Sequence, residues 1–217
     1  EKNAAMRAWG AEVIEHGHDF EGARLEAMRV AEAENLHAIG PFHPLLVRGV
    51  ATYALELMRA VPDLETIYVP IGMGSGCCGL IEARDRLGLA TEIVGVVAEA
   101  APAYALSFAA GRVVGTETAA TFADGVACRA PSPEALEILL RGAARVVSVS
   151  EDKVAEAMRA LFVDTHNVAE SAGAVALAGL LSERERIAGR KVAAVLSGGN
   201  VDTRQFHEVL GGGTPKV

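Results

Sequence analysis

Short runs of Val and Ile alternate with longer amphipathic segments from the middle of the chain onward. Nearly continuous apolar runs are typical of strands that are buried on both faces of a parallel sheet. We predict four strands, at residues 66–69, 92–97, 145–149 and 192–196, followed by helices at 77–87, 104–110, 151–162 and 203–210. This alternation predicts an α/β fold, with a mostly parallel twisted sheet and helices on both of its faces.

The first 60 residues carry a different pattern, in which helical spacing dominates. Helices are predicted at 2–9, 20–35 and 44–58, with a short strand at 12–14, and one more helix is predicted at 172–181. Pro44 suits the start of the third helix, because a proline in the first helical turn removes an N–H that has no partner there. We expect residues 1–47 to be the remainder of a smaller α/β domain and 48–217 to form a larger one.

Composition and charge exclude some classes of function. The 217 residues carry a net charge of −8 without a cluster of Lys or Arg, which argues against a nucleic-acid-binding surface. No apolar run is long enough to span a membrane, and no secretion signal is visible. The three cysteines lack metal-ligand spacing, which favours a cytoplasmic protein. We expect the adjacent Cys77 and Cys78 to be small buried residues.

The most informative segment joins the first predicted strand to its helix through glycines at positions 72, 74, 76 and 79. Glycines allow backbone N–H groups to approach a phosphate, and the helix N-terminus adds partial positive charge. The segment therefore predicts a site for a phosphorylated small molecule. Its spacing also fits G-x-G-x-x-G, and Glu99 follows Gly79 by 20 residues, so a dinucleotide-binding oxidoreductase is an alternative.

Two further segments carry polar groups that suit a ligand. Ser197, Gly198, Gly199 and Asn200 follow the last predicted strand, and open parallel sheets bind ligands at the carboxyl ends of their strands. The Ser197 hydroxyl can donate or accept a hydrogen bond, although the segment alone also fits a simple turn. Glu170 lies between two predicted helices among small and apolar residues, where a carboxylate can face a pocket or cap a helix.

Taken together and in this order, these segments resemble the fold-type-II pyridoxal-phosphate enzymes of the threonine/serine dehydratase group, which includes serine racemase. The resemblance extends to K-N-A-A-M-R-A-W-G-A-E-V at 2–13, F-A-D-G-V-A at 122–127 and E-S-A-G-A-V-A-L at 170–177. It implies a tryptophan-synthase-β-like fold and a pyridoxal 5'-phosphate cofactor. Residues 48–217 are then the large cofactor-binding domain, with its N-terminal part missing.

The resemblance also implies roles for single residues. A tetraglycine loop binds the cofactor phosphate in this family, and the matching positions here are Gly72, Met73, Gly74 and Ser75, with Gly76 following. Ser197 matches the serine at the pyridine nitrogen of the cofactor. Glu170 matches a carboxylate near the cofactor pocket, which Gly198 is also expected to border. Met73 and Ser75 replace glycines, so the loop is expected to differ in shape from that of the family.

Two departures from the family concern catalysis and metal binding. The family's catalytic lysine lies in an S-x-K-x-R-G motif, a context that none of the lysines here has: Lys2, Lys153, Lys191 and Lys216. We therefore assign no certain catalytic residue, and expect the chain to be the C-terminal two-thirds of an enzyme. Serine racemase binds a divalent ion through a Glu and an Asp where this chain has Val97 and Ala103, so no metal is expected.

The function that the resemblance implies is that of a dehydratase, or ammonia-lyase, which converts threonine or serine to a 2-keto acid and ammonia. Its partners would be the amino-acid substrate and further copies of itself, as a homodimer or homotetramer, without nucleic acid or membrane. Serine racemisation is the alternative within the same fold. The dinucleotide-binding oxidoreductase and a non-catalytic ligand-binding fragment are the alternatives outside it.

Overall fold

The computed structural model describes residues 1–217 and is built around a parallel sheet of four strands. These are β1 (Thr66–Pro70), β2 (Glu92–Ala98), β3 (Arg145–Val149) and β4 (Val192–Ala194), in the order β3-β2-β1-β4. In the register, Ile67 of β1 lies between Ile93 of β2 and Ala193 of β4. The predicted α/β class and all four predicted strands are confirmed, although β4 ends two residues earlier than expected.

Nine α-helices connect and cover these strands. They are α1 (Lys2–Ala8), α2 (Phe20–Ala33), α3 (Pro44–Ala60), α4 (Ser75–Leu87), α5 (Ala103–Ala110), α6 (Pro133–Gly142), α7 (Glu151–Thr165), α8 (Ser171–Ser182) and α9 (Thr203–Leu210). The sequence analysis did not predict α6. Ser132 caps it by accepting a hydrogen bond from the Ala135 N–H, and Pro133 occupies its first turn, which is a recognisable start signal.

The side chains of the sheet alternate between two apolar layers. Ile67 and Val69 of β1 pack with α3, α4, α5 and α6 on one face, while Tyr68 packs with α7, α8 and α9 on the other. The large core side chains of both layers, among them Tyr68, Leu80 and Met158, are fully buried. The sheet is thus covered on both faces, as the continuous apolar runs predicted.

The short strand predicted at 12–14 is wrong, since this stretch has no regular secondary structure. A strand is stable only when a neighbouring strand pairs with its backbone groups, and the sheet offers none here. The first buried residue of the chain is Val47, and α1 and α2 contain none. The domain boundary between residues 47 and 48 stays a prediction.

The order of the strands fixes where a ligand can bind. From β1 the chain moves to β2 and β3 on one side, and it then crosses to the other side of β1 to form β4. The carboxyl ends of β1 and β4 therefore flank the point where the chain direction reverses, which is the usual ligand site of open parallel sheets. No helix combines the length and apolar character needed to span a membrane.

Candidate functional site

The loop after β1 presents a row of free backbone N–H groups at the start of α4. The N–H groups of residues 72–77 donate to no backbone carbonyl of the chain. Gly74, the N-cap of α4, has a φ of 99°, a conformation that residues other than glycine rarely adopt. Free N–H groups at a helix N-terminus suit an anion, so the geometry is compatible with the phosphate site expected from the glycine spacing, which stays a prediction.

These groups open into a cavity of about 620 Å³ between the carboxyl ends of β1 and β4. The predicted site residues that line it are Gly72, Met73, Gly74, Ser75, Gly76, Glu170 and Ser197. Gly198 is not among the lining residues, but its carbonyl oxygen accepts a hydrogen bond from the Glu170 N–H at 3.1 Å. Three segments that are separate in the sequence are thereby brought together.

The sequence analysis missed the part of the wall that α3 contributes, namely Val50, Thr52 and Tyr53. The Tyr53 hydroxyl donates to the Gly76 carbonyl oxygen at 3.3 Å, so it contacts the glycine loop directly. Burial raises the pKa of this phenol far above its usual range, which keeps it protonated. A tyrosine in an amphipathic helix gives no local signal that distinguishes this position from an ordinary core residue.

The turn that holds the A-D-G-V-A stretch closes another side of the cavity. Gly125 and Val126 belong to a 3-10 helix, Asp124–Val126, and both line the cavity. A Cβ on Gly72 would collide with the Gly125 carbonyl oxygen, so Gly72 is required by the close approach of the two backbones. The resemblance to the dehydratase group singled out this stretch, although it assigned no role to it.

Glu170 is held at the rim of the cavity by two contacts. As N-cap of α8 it precedes the helix, and its carboxylate lies against Gly198, where a Cβ would collide with it. The Lys2 Nζ donates to the Glu170 carboxylate at 3.3 Å and to the Asp124 carboxylate at 2.8 Å. Burial disfavours the Lys2 charge, but the two carboxylates outweigh it and raise the pKa of the ammonium. Lys2 thus links α1 to the rim of the site.

Tyr104 supports the glycine loop from the side opposite the cavity. Its hydroxyl donates to the Met73 carbonyl oxygen at 2.8 Å and accepts from the Ser132 N–H at 3.1 Å. The Met73 sulfur lies 3.8 Å from the Cys128 sulfur, so the Met73 side chain reaches towards a buried thiol. These contacts accommodate a methionine where the dehydratase group has a glycine.

Neither the cysteine side chains nor Glu99 lines the cavity. Cys77 and Cys78 are fully buried, as predicted, and burial raises the pKa of the Cys78 thiol to about 12. Both thiols therefore stay protonated at neutral pH and behave as small core residues. Glu99 is exposed and does not line the cavity, so it is not positioned to bind a ribose there.

A comparison of the sequence with models of known families decides the class of this site. The model described as "Pyridoxal-phosphate dependent enzyme" matches residues 1–198. The chain belongs to this family. The match includes the glycine loop, Glu170 and Ser197, and pyridoxal phosphate is the cofactor that this family uses.

Curated relatives agree with the family assignment. The chain is 33% identical over 216 residues to the L-threonine ammonia-lyase of Thermotoga maritima, an alignment that covers 99% of this chain and 54% of that protein. It is 32% identical to the catabolic L-threonine dehydratase TdcB of Escherichia coli K12, with 97% of this chain and 65% of that protein covered. The chain thus spans about half the length of the first of these relatives.

Solved structures share the fold of the chain. The processed form of threonine deaminase isoform 2 from Solanum lycopersicum superposes with a TM-score of 0.89 at 29% identity, covering 96% of this chain and 58% of that one. Maize serine racemase superposes with a TM-score of 0.86 at 24% identity, covering 97% of this chain and 66% of that one. The fold-type-II architecture expected from the sequence is therefore confirmed.

The cavity fits the phosphate end of pyridoxal phosphate. The free N–H groups of residues 72–77 suit the phosphate oxygens, and the start of α4 favours their negative charge. Ser197 lies across the cavity after β4, with an exposed side chain. No lysine is among the lining residues of the cavity, and the Lys2 ammonium at its rim is paired with Glu170 and Asp124.

Proposed function

We propose that the protein is a pyridoxal-phosphate-dependent ammonia-lyase that converts L-threonine or L-serine to a 2-keto acid and ammonia. The observation that carries the proposal is the cavity itself. It joins a phosphate loop, a serine after β4 and a carboxylate at the start of α8 in one pocket at the reversal point of the sheet. The relatives named threonine ammonia-lyase and threonine dehydratase support the reaction class.

In this proposal, bound pyridoxal phosphate supplies an electron sink for the negative charge that forms at the substrate α-carbon. The loop residues Gly72, Met73, Gly74, Ser75 and Gly76 hold the phosphate through backbone N–H groups, and Tyr53 steadies the loop at the Gly76 carbonyl. The Ser197 hydroxyl is the partner of the pyridine nitrogen. A neutral hydroxyl does not hold a proton on that nitrogen as a carboxylate would, which favours rapid elimination.

Glu170 and its neighbours form part of the rim of the cavity. Lys2 supplies an opposite charge to Glu170, so the carboxylate is held in one position beside Gly198. We propose that this carboxylate borders the cofactor ring and limits where the substrate side chain can lie. The proposal assigns the role of the covalent lysine to none of the residues of this chain.

The proposal also covers location, assembly and metal binding. We propose that the protein is cytoplasmic and forms a homodimer or homotetramer. We also propose that it binds no metal at Val97 and Ala103. The three free, buried cysteines suit a reducing compartment. Val97 and Ala103 are buried and apolar, and no group of three or more His, Cys, Asp or Glu side chains is arranged to hold a metal. Racemisation of serine remains the alternative within the same fold.

The reaction can be tested in a chimera in which this chain replaces the 216 residues that it matches in the Thermotoga maritima protein. We expect the chimera to bind pyridoxal phosphate and to release ammonia and a 2-keto acid from L-threonine or L-serine. A Gly74→Val chimera should lose both, because the branched side chain fills the loop. A folded chimera that binds the cofactor but only racemises serine would favour the racemase alternative. A folded chimera that binds the cofactor but neither releases ammonia nor racemises serine would refute both activities.

A further inference from the structure

The Tyr104 side chain packs against the glycine loop but does not line the cavity. It is 1% exposed and is absent from the cavity lining, although its hydroxyl bonds to Met73 in the loop. The same hydroxyl accepts from the Ser132 N–H at the N-cap of α6. Burial raises the pKa of this phenol well above its usual range, so the hydroxyl keeps the proton that it donates to Met73.

The planarity of the peptide bond gives this contact a consequence for the cavity. In a trans peptide unit the C=O of one residue and the N–H of the next point in opposite directions. The structure has no cis peptide bonds, so a Met73 carbonyl directed at Tyr104 turns the Gly74 N–H away from Tyr104. Tyr104 lies outside the cavity, and the N–H of Gly74, which has no backbone acceptor, is thus directed to the cavity side.

We propose that Tyr104 is a positioning residue for the phosphate loop, and that it acts by fixing the direction of the Gly74 N–H. The proposal rests on the proposed function of the loop as the cofactor-phosphate site. Its physical basis is that the Met73 carbonyl would rotate more freely without the hydroxyl. A donor fixed in advance binds an anion more tightly than one that must be ordered during binding.

The position of Tyr104 also explains how this loop tolerates a methionine. The Met73 side chain reaches Cys128, while its backbone carbonyl turns back to Tyr104. Tyr104 therefore satisfies two backbone groups, from Met73 and Ser132, at a place where little water can reach them. The contact joins the loop to α5 and α6, which are both part of one packed layer.

The test compares Tyr104→Phe with Tyr68→Phe in the 217-residue chain. Tyr68 is a matched control, because it is also buried and its hydroxyl donates to Glu183 at 2.7 Å, but it packs on the other face of the sheet. Three probes are titrated by calorimetry: pyridoxal 5'-phosphate, inorganic phosphate and pyridoxal, which lacks the phosphate. Circular dichroism and urea unfolding verify that both variants fold.

We expect Tyr104→Phe to bind pyridoxal 5'-phosphate and inorganic phosphate about three- to tenfold more weakly, the effect of about one hydrogen bond. Its affinity for pyridoxal should stay close to that of the unchanged chain, and Tyr68→Phe should bind all three probes normally. Unchanged phosphate binding in Tyr104→Phe would overturn the proposal. So would an equal loss of pyridoxal binding, or the same loss in Tyr68→Phe.

Amide hydrogen exchange separates this proposal from the proposed function. Exchange at the Cys78 amide, which donates to the Gly74 carbonyl oxygen at 2.9 Å, should be faster in Tyr104→Phe than in Tyr68→Phe, whether or not a ligand is present. If the unchanged chain binds neither phosphate probe, the cofactor site fails, and the exchange result alone then decides whether Tyr104 orders the loop. Equal exchange in the two variants would overturn the role of Tyr104.

Discussion

Replacing Gly74 with alanine is expected to destabilise the chain and to weaken phosphate binding at the same time. Gly74 has a φ of 99°, and the added Cβ would lie 2.9 Å from the Cβ of Ala135. Ala135 is fully buried in α6 and is itself a short side chain, so it has no flexible end that can move aside. The substitution therefore combines backbone strain with a steric contact.

The magnitude follows from these two terms. A left-handed backbone conformation costs an alanine about 1–2 kcal/mol. Forcing an extra methyl group into a packed core costs about 1–3 kcal/mol. Both costs arise from the same added Cβ. We therefore expect the free energy of unfolding to fall by about 2–5 kcal/mol, their sum.

Gly88→Ala is the matched control for the first term. Gly88 ends α4 with a φ of 64°, but a Cβ there would meet no atom within 4 Å. In this variant the free energy of unfolding should therefore fall only by the cost of the backbone conformation, about 1–2 kcal/mol. The assay is urea unfolding of both variants, followed by far-ultraviolet circular dichroism, together with calorimetric titration of pyridoxal 5'-phosphate.

The difference between the two variants tests both the steric contact with Ala135 and the role of the loop in cofactor binding. Gly74→Ala should be less stable than Gly88→Ala by about 1–3 kcal/mol, and it alone should bind the cofactor more weakly. If the two variants unfold at the same urea concentration, the steric contact with Ala135 is not a real constraint. If Gly74→Ala also binds pyridoxal 5'-phosphate normally, the phosphate loop lies elsewhere.

Two further predictions concern charged groups. Burial opposes ionisation of Glu183, but hydrogen bonds from Arg145 and Tyr68 outweigh it and lower the pKa of that carboxyl below its ordinary 4.5. A lowered pKa in the folded state means stability that is complete above pH 4.5 and is lost as the pH falls through the folded value. Glu183→Gln should thus cost about 2–4 kcal/mol at pH 7, as expected when a largely buried ion pair loses one partner, and progressively less in urea unfolding below pH 4.5. Lys2→Met should lower stability by less than about 1 kcal/mol. It should nevertheless speed amide exchange around Glu170, as measured by mass spectrometry.

Exposed ion pairs provide the controls for both predictions. Glu156 pairs with Lys153 on the surface of α7, so Glu156→Gln should leave the unfolding curve nearly unchanged. Lys191 pairs with Asp63 far from the cavity, and Lys191→Met should not alter exchange around Glu170. A pH-independent cost of Glu183→Gln would contradict the ionisation argument. Slow exchange retained in Lys2→Met would show that Lys2 does not hold the rim of the cavity.

Local sequence pattern was sufficient for the central α/β units and for the first three helices, but it failed at the strand predicted near the start of the chain. The central strands β1 and β2 are buried on both faces, so their sequences are largely apolar, and they were predicted correctly. The strand at 12–14 failed because pairing, and not composition, decides whether an extended stretch becomes a strand. The start of α6 at Ser132 and Pro133 was readable from sequence, although it was not predicted.

The sequence by itself determined the glycine-rich loop between β1 and α4, because the glycine spacing between a strand and a helix is a local property of the chain. It also determined the family, through the resemblance of several segments in one order. The resemblance already implied that Glu170 and Ser197 lie at the pocket. Only the tertiary structure showed that Gly125 packs against Gly72 and that Tyr53 of α3 contacts the loop, because these contacts depend on how distant segments pack. The same holds for Tyr104, whose partner Met73 lies 31 residues away. A hydrogen bond between such distant positions depends on how the helices pack on the sheet, and that packing leaves no mark in the local pattern of either segment.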